Sequence, residues 1–286
     1  MKKIGFILDS FSCLTETEAN QKNYYFIPLR VDLDDKLYED GINFNQKDLL
    51  ELIAKSQTYK TSLPKLTTIE AIFQKASKEN DYVIYFPINS SLSGTFSAAK
   101  TISQDFNNIY VIDNNFVGIQ YEKVIQKIQQ MNQNGANFEE ILNFINNIQD
   151  QFATYILPLD LKYAINGGRV NGIKKFFLLG MSKLKLMPFL RFSNNEVVNA
   201  GVGRNIKSVI TQIIEKILEF TKSTANELKD KFDLTFIYGI DNKFNNEVIN
   251  IAKENNLEII NSQINSSIIA IHTGPDALAL SIMPKF

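Results

Sequence analysis

The fold of this chain is constrained most by the alternation, along its first half, of short apolar runs with segments of helical periodicity. The runs Lys3–Leu8, Tyr82–Phe86 and Ile109–Ile112 predict buried strands. Helical patterns occupy Phe96–Ile102 and a long region that starts at Val117. Because strands that alternate with helices usually pair in parallel, we expect an α/β fold whose first half is a mostly parallel sheet flanked by helices.

Helix-capping residues in the first half support this interpretation. Thr15 with Glu18, and Thr67 with Glu70, have the spacing of capping boxes, in which two side chains satisfy the first free amides of a helix. Asn45 stands directly before a segment with one apolar face. Each of the three signals predicts that a helix begins there.

The pattern changes near Asp150, where we place a domain boundary. A chain of 286 residues exceeds a typical single core, so we expect an N-terminal domain at 1–150 and a C-terminal domain at 151–286. Strands are predicted at Ala153–Leu157, Lys185–Phe192, Glu196–Ala200, Leu234–Tyr238, Glu258–Ile260 and Ile268–Ile271. Helices are predicted at Asp160–Ile165, Lys174–Lys183, Ile206–Phe220 and Lys243–Asn255. The turn Ser193–Asn195 favours a hairpin, so this domain is predicted to be a mixed sheet with helices.

Composition excludes several classes of partner and site. The net charge is −1 and the pI about 6.0, so we expect no nucleic-acid partner. Cys13 is the only cysteine, which excludes an internal disulfide and a Cys-x-x-Cys zinc site and favours the cytoplasm. No run approaches the roughly 20 apolar residues that cross a bilayer. Any contact with a membrane is therefore expected to be peripheral and transient.

The strongest local signal is a polar loop between a predicted strand and a predicted helix. After the strand Tyr82–Phe86 and the segment Pro87–Asn89, the loop contains Ser90, Ser91, Ser93, Gly94 and Thr95. In a parallel sheet this edge carries ligands, and a helix N-terminus there presents free amides to an anion. The alternative is that these serines only cap the helix, so the loop alone leaves both interpretations open.

Two other segments carry polar groups next to a predicted turn. Thr61 and Ser62 precede a helix and are either neighbours of the serine loop or part of an ordinary turn before Pro64. His272, the only histidine, follows the predicted strand Ile268–Ile271 and precedes a Gly-Pro turn. Lone histidines are usually structural, but an imidazole at a strand end can donate a hydrogen bond to a carboxylate.

Two arginines stand beside glycines. Gly167 and Gly168 are suited to a left-handed helix C-cap and precede Arg169. Arg204 follows a Gly-Val-Gly segment. Either arginine is a surface charge or a clamp for phosphate or an acidic partner.

Familiar catalytic motifs are missing, but one hydrolytic arrangement stays open. The chain has no P-loop, no third glycine for a dinucleotide fingerprint and no His-Glu-x-x-His pattern. A nucleophile elbow has the pattern Gly-x-Ser-x-Gly, and Ser93 has no glycine two residues before it. Ser93 and His272, with Asp9 or Asp113 as a third member, nevertheless leave an esterase or acyl hydrolase as the alternative function.

Six ordered motifs resemble those of the DegV family of bacterial fatty-acid-binding proteins. They are Ile7-Leu8-Asp9-Ser10, Tyr38-Glu39-Asp40-Gly41, Thr61-Ser62-Leu63-Pro64, Ser90-Ser91-Leu92-Ser93-Gly94-Thr95-Phe96, Asn166-Gly167-Gly168-Arg169 and His272-Thr273-Gly274-Pro275. The resemblance covers the whole chain. It implies a two-domain α/β fold with an acyl chain in a hydrophobic tunnel, whose candidate walls are Phe176–Leu179 and Met187–Leu190.

The resemblance also implies a ligand, a partner and a set of site residues. The ligand is a long-chain fatty acid, with no other cofactor and no metal. Carried over by motif, the ligand-binding residues are Thr61, Ser62, Ser91, Ser93, Gly94, Thr95 and His272. Family members present the carboxylate to a separate ATP-binding fatty acid kinase subunit that makes acyl phosphate, so the chain is not an enzyme alone. Arg169 and Arg204 would serve phosphotransfer or docking.

Four positions depart from the family pattern. Leu63 stands where glutamine is usual, and Lys65 where serine is common. Asp276 replaces a frequent glycine, and Asn114 a typical serine. Leu63 and Asp276 are expected to alter the specificity of the pocket, because the hydroxyls and the imidazole are kept.

Overall fold

Three β-sheets and the helices that cover them organise the chain in a computed structural model, which describes residues 2–167 and 186–286. The described strands are β1 (Ile4–Asp9), β2 (Tyr25–Ile27), β3 (Arg30–Leu33), β4 (Lys36–Glu39), β5 (Tyr59–Ser62), β6 (Tyr82–Phe86), β7 (Ile109–Val111), β8 (Ala153–Leu157), β9 (Met187–Ser193), β10 (Glu196–Gly203), β11 (Phe232–Tyr238), β12 (Ile259–Ile264) and β13 (Leu278–Pro284). The described helices are α1 (Glu16–Gln21), α2 (Gln46–Lys55), α3 (Leu66–Glu79), α4 (Thr95–Ile102), α5 (Gln120–Gln133), α6 (Phe138–Asn147), α7 (Leu161–Gly167), α8 (Ile206–Thr221), α9 (Ala225–Lys231), α10 (Asn242–Glu254) and α11 (Ser267–Thr273).

The first sheet has four parallel strands in the order β2-β1-β6-β7. Side chains alternate between its faces, as they must along a strand. Ile7 packs in the cluster that contains Phe73 of α3, whereas Leu8 packs in the cluster that contains Ile125 of α5. Both faces are therefore buried under helices, and the predicted parallel α/β arrangement is confirmed.

The second sheet has six strands in the order β10-β9-β8-β13-β11-β12. Only β11 and β12 pair in parallel, so the predicted mixed sheet is confirmed. The predicted hairpin joins β9 to β10, and Asn194 and Asn195 both adopt positive φ there, of 51° and 58°. One face packs on α8 and α10, and the other faces a cavity. The domain boundary near Asp150 stays a prediction.

A third, small antiparallel sheet in the order β4-β3-β5 is absent from the sequence prediction. Its strands have four residues each, and β5 reads Tyr-Lys-Thr-Ser, which has little apolar alternation. Thr61 and Ser62 therefore lie in an edge strand, where we expected a turn. In this strand Thr61 stands opposite Val31 of β3.

The predicted strand Ile268–Ile271 is wrong, because this segment lies in helix α11. Ser266 caps that helix, and its hydroxyl accepts a hydrogen bond from the amide of Ile269. A short helix that is buried on most sides has no polar face, so its sequence resembles that of a buried strand. His272 accordingly lies in the last turn of a helix.

The remaining predictions concern where three helices begin and segments that lie outside the described residues. The Thr67–Glu70 capping box is wrong, since α3 starts at Leu66 after the N-cap residue Lys65, whose side chain makes no capping hydrogen bond. The Thr15–Glu18 box and the Asn45 cap are confirmed. The predicted helix Lys174–Lys183 lies outside the described residues, as do Arg169 and the proposed tunnel wall Phe176–Leu179.

Candidate functional site

A cavity of about 210 Å³ lies between the six-stranded sheet, α11 and the segments that follow β5 and β6. The sheet lines it with Ile156, Leu190, Phe192, Val197, Ile237 and Ala279, and α11 with Ile268, Ile269, His272 and Thr273. Most of these side chains are apolar. A cavity with few polar groups in a largely apolar wall is typical of a binding site for an apolar ligand.

The structure brings five of the predicted site residues to this cavity. Thr61, Ser62, Ser93, Gly94 and His272 all line it, although they come from three distant parts of the sequence. The Thr61 Oγ1 atom lies 3.1 Å from His272 Nε2, which is a hydrogen-bond distance. Hydroxyls and an imidazole grouped in this way can donate hydrogen bonds to a carboxylate.

Ser91 and Thr95, the other two predicted ligand-binding residues, do not line the cavity. The Ser91 hydroxyl donates to Oδ1 of Asn89 at 2.6 Å. Thr95 is fully buried at the start of α4, where its hydroxyl lies 2.9 Å from the Ser93 hydroxyl and its amide donates to the same oxygen. These residues hold the loop in shape, and Thr95 in particular orients Ser93.

The hairpin tip of the six-stranded sheet contacts the same loop. Asn89 donates a hydrogen bond from Nδ2 to Oδ1 of Asn195 at 2.8 Å. The Asn195 amide in turn donates to Oδ1 of Asn115, also at 2.8 Å. The loop that presents Ser93 is thus connected to a turn that lies about a hundred residues later in the chain.

Asp40 holds the start of helix α11, a role that sequence reasoning missed. Its buried carboxylate accepts hydrogen bonds from the Ser267 hydroxyl at 2.5 Å and from the Ile268 amide at 3.4 Å. A carboxylate at a helix N-terminus satisfies free amides and interacts favourably with the helix dipole. The only sequence signal was the motif that contains Asp40, which gave no indication of its partner.

Gly167 allows α7 to approach His272 closely. A Cβ atom at this position would lie 2.3 Å from His272 Nδ1 and 3.1 Å from its Cα. Gly167 is still helical and does not adopt positive φ, so it is not a left-handed cap, and Gly168, the other glycine of the predicted pair, lies outside the described residues. Gly167 is required because no larger residue fits between the two helices.

Two buried carboxyl groups near the site have raised pKa values. Burial raises the pKa of Asp9 to about 7, and hydrogen bonds from the amides of Ile88 and Phe11 oppose this effect. Burial raises the pKa of Asp40 to about 6, and the Ser267 hydroxyl opposes it. Both carboxyls change protonation near neutral pH.

Of the two arginines predicted from the sequence, Arg169 and Arg204, the structure describes only Arg204. Arg204 is exposed, and its amide donates to the Ser208 hydroxyl at the start of α8. Arg30, which sequence reasoning missed, donates from Nε to the carbonyl oxygen of Leu63 at 2.6 Å. This bond fixes the segment between β5 and α3, which borders the cavity through Leu63.

The described residues show no metal site and no membrane span. No three His, Cys, Asp or Glu side chains within residues 2–167 and 186–286 converge as they would around a metal ion. In the same part of the chain, every helix is too short or too polar to cross a bilayer.

Comparison with known proteins decides the family. The family model for uncharacterised proteins of the DegV family matches residues 3–285. The chain belongs to the DegV family. A DegV domain-containing protein of Mycoplasmopsis pulmonis is 26% identical over 287 residues, which cover 98% of this chain and 95% of that relative.

Solved DegV-family structures share the fold of this chain. A fatty-acid-binding DegV family protein from Thermus thermophilus superposes with a TM-score of 0.84 at 21% identity, covering 99% of both chains. One from Streptococcus agalactiae gives 0.84 at 22%, covering 100% of both chains. A stearic acid-binding protein from Eubacterium ventriosum gives 0.83 at 22%, covering 100% of this chain and 99% of that one. The α/β fold is therefore that of DegV proteins.

The close approach at Gly167 in this DegV-family protein leads to a first prediction. In Gly167→Ala the methyl group clashes with His272, so we expect a loss of about 1–3 kcal/mol in the free energy of unfolding. The displaced ring should also shift its proton NMR signals, which are unambiguous because His272 is the only histidine. Lys162→Ala, at an exposed position of the same helix, should change neither the free energy of unfolding nor the NMR signals of His272. Unchanged His272 signals in Gly167→Ala would contradict the prediction.

The raised pKa of Asp40 leads to a second prediction. The folded protein binds this proton more tightly than the unfolded chain, whose carboxyl keeps its ordinary pKa of 3.8. The free energy of unfolding should therefore fall by on the order of 2 kcal/mol as pH rises from about 4 through 6. Asp40→Asn, which still accepts at α11, should remove the Asp40 part of this slope in urea unfolding between about pH 4 and pH 8 and leave the part that Asp9 contributes. Asp105→Asn, a control at an exposed position, should keep the full dependence of the free energy of unfolding on pH.

Proposed function

We propose that this protein binds one long-chain fatty acid, with the carboxylate held by Thr61, Ser93 and His272 and the acyl chain in the apolar cavity. The observation that carries the proposal is the position of this polar cluster on the wall of a largely apolar cavity. The choice of ligand is supported by two proteins of similar fold, the fatty-acid-binding DegV family protein from Thermus thermophilus and the stearic acid-binding protein from Eubacterium ventriosum.

The acyl chain supplies the affinity in this proposal. Burying ~15 methylenes at roughly 0.8 kcal/mol each gives a gross driving force of about 12 kcal/mol. Immobilising the ligand consumes a large part of this free energy. What remains is the net contribution of the acyl chain to binding.

The polar cluster supplies the orientation. An ionised carboxylate that leaves water without partners costs several kcal/mol, so it requires donors where it is buried. The Ser93 hydroxyl is one such donor, and the hydrogen-bonded pair of Thr61 and His272 supplies another. The start of α4, at Gly94 and Thr95, adds the partial positive charge of a helix N-terminus.

We propose further that a separate ATP-binding kinase subunit receives the carboxylate and forms acyl phosphate. This chain would then be a lipid-carrying subunit that is not catalytic alone. The absence of a P-loop from the sequence and the exposure of Arg204 support this division of roles. Arg204 and Arg169 would contact the kinase subunit or the transferred phosphate. A cytoplasmic location, where ATP is available, is part of the same proposal.

The esterase alternative receives less support from the hydrogen bonds. The Ser93 hydroxyl bonds to Thr95, and Nε2 of His272 lies against Thr61. The candidate third members have partners elsewhere, since Asp9 accepts from Ile88 and Asp113 from Ser90. A hydrolase would turn over p-nitrophenyl esters and lose that activity in Ser93→Ala. A carrier would show no turnover that depends on Ser93.

Removing single donors tests the binding proposal. We expect Thr61→Val, Ser93→Ala and His272→Gln each to weaken fatty acid binding by about ten- to a hundredfold, because a hydrogen bond to a charged group contributes about 1.5–3 kcal/mol. Thr101→Val removes an exposed helical hydroxyl and should leave binding unchanged. Titration calorimetry with stearate measures the effect.

Extraction provides the decisive control for this experiment. Protein purified under native conditions should release fatty acid into organic solvent, as detected by mass spectrometry. If none is released and none binds on addition, the proposal is wrong.

The role of Arg204 can be separated from binding. Arg204→Ala should bind stearate as the unmodified protein does, because Arg204 does not line the cavity. It should lower the rate of acyl phosphate formation, measured with a bacterial fatty acid kinase subunit and ATP, by at least tenfold. Arg169→Ala is expected to behave in the same way. Lys207→Ala, a nearby exposed cation, should retain the rate; equal rates for Arg204→Ala and Lys207→Ala would contradict the docking role.

A further inference from the structure

One polar side chain on the cavity wall has no role in the head-group cluster. Asn265 lines the cavity and is only 1% exposed. Its Oδ1 atom accepts no hydrogen bond from any described residue. A buried amide without a partner is unfavourable, and native structures almost always supply one, either from the protein or from a bound molecule.

The other buried polar side chains on the same wall do have protein partners. The Thr154 hydroxyl lies 2.9 Å from the Ser281 hydroxyl. The Thr273 hydroxyl donates to the carbonyl oxygen of Ile269. Asn265 differs from them because no described residue donates a hydrogen bond to its side-chain oxygen.

The position of Asn265 relative to the head-group cluster is set by α11. Residues 268, 269, 272 and 273 line the cavity with one face of α11, and Asn265, which directly precedes the N-cap residue Ser266, continues this row. Asn265 stands at one end of this row and His272 near the other. Within the helix, the rise of about 1.5 Å per residue separates Ile268 from His272 by about 6 Å, and Asn265 lies beyond Ile268. The side chains between them on this face, Ile268 and Ile269, are apolar.

We infer that the acyl ligand carries a second hydrogen-bonding group, a hydroxyl part-way along the chain, which pairs with Asn265. This inference rests on the proposed fatty acid binding and specifies the class of acid. A chain hydroxyl can donate to Oδ1 and accept from the amide nitrogen, and the last torsion of asparagine rotates readily to present either atom. A plain acyl chain would leave the carboxamide unpaired beside methylenes.

The experiment compares three acids of equal length on the full-length protein: stearate, 10-hydroxystearate and 18-hydroxystearate. The first hydroxyl lies mid-chain, and the second lies at the chain end as a positional control. Calorimetry should show 10-hydroxystearate binding at least tenfold more tightly than either other acid. In Asn265→Leu, which has a similar size, that preference should disappear or reverse. Ile269→Leu, on the same face of α11, should keep it.

The outcomes separate this inference from the proposal on which it rests. If stearate binds and the mid-chain hydroxyl gives no advantage, a water molecule satisfies Asn265 and the inference is wrong. A preference that survives unchanged in Asn265→Leu also overturns it. If no acid binds at all, the fatty acid proposal itself fails. Should Asn265→Leu not fold, the comparison of the 10-hydroxy and 18-hydroxy acids on the unmodified protein still decides.

Discussion

The site depends on how one short helix, α11, is fixed at both of its ends. At its start, the buried carboxylate of Asp40 accepts hydrogen bonds from Ser267 and Ile268, so a residue of the N-terminal half fixes a helix of the C-terminal half. Near its end, Gly167 of α7 packs directly against His272. Seven residues are too few to form a stable helix in water without such contacts. The imidazole is therefore positioned against Thr61 by tertiary contacts, and the local sequence contributes little.

The polar loop that presents Ser93 is likewise held in place by tertiary contacts. Asp9, at the end of β1, accepts from the amide of Ile88 and joins the central strand to the loop that follows β6. Thr95 then orients the Ser93 hydroxyl. These supporting groups are buried, whereas Ser93 is only partly so. A preorganised donor of this kind costs little to bring into position when an anion arrives, which favours both affinity and orientation.

Sequence patterns predicted the two large sheets, the hairpin at Asn194 and the residues that gather at the cavity, because these depend on periodicity and on motifs. They failed where tertiary contacts determine the secondary structure or the partner of a residue. Helix α11 is buried and lacks a polar face, so it was taken for a strand. Strand β5 has no apolar alternation and exists because β3 pairs with it. The partner of Asp40 lies 227 residues away, and no local spacing encodes such a pair. Asn265 carries no motif at all, and only its place on the cavity wall distinguishes it.

The contact between Asn89 and the hairpin tip restricts how this protein can diverge. The side-chain amide of Asn89 donates a hydrogen bond to the side-chain oxygen of Asn195, and this bond joins the serine loop to a turn of the other sheet. Replacing either residue alone leaves a polar group without its partner, whereas a paired replacement can restore a contact. Among relatives that keep this hairpin, the two positions should therefore have changed together during evolution, even though neither touches the cavity.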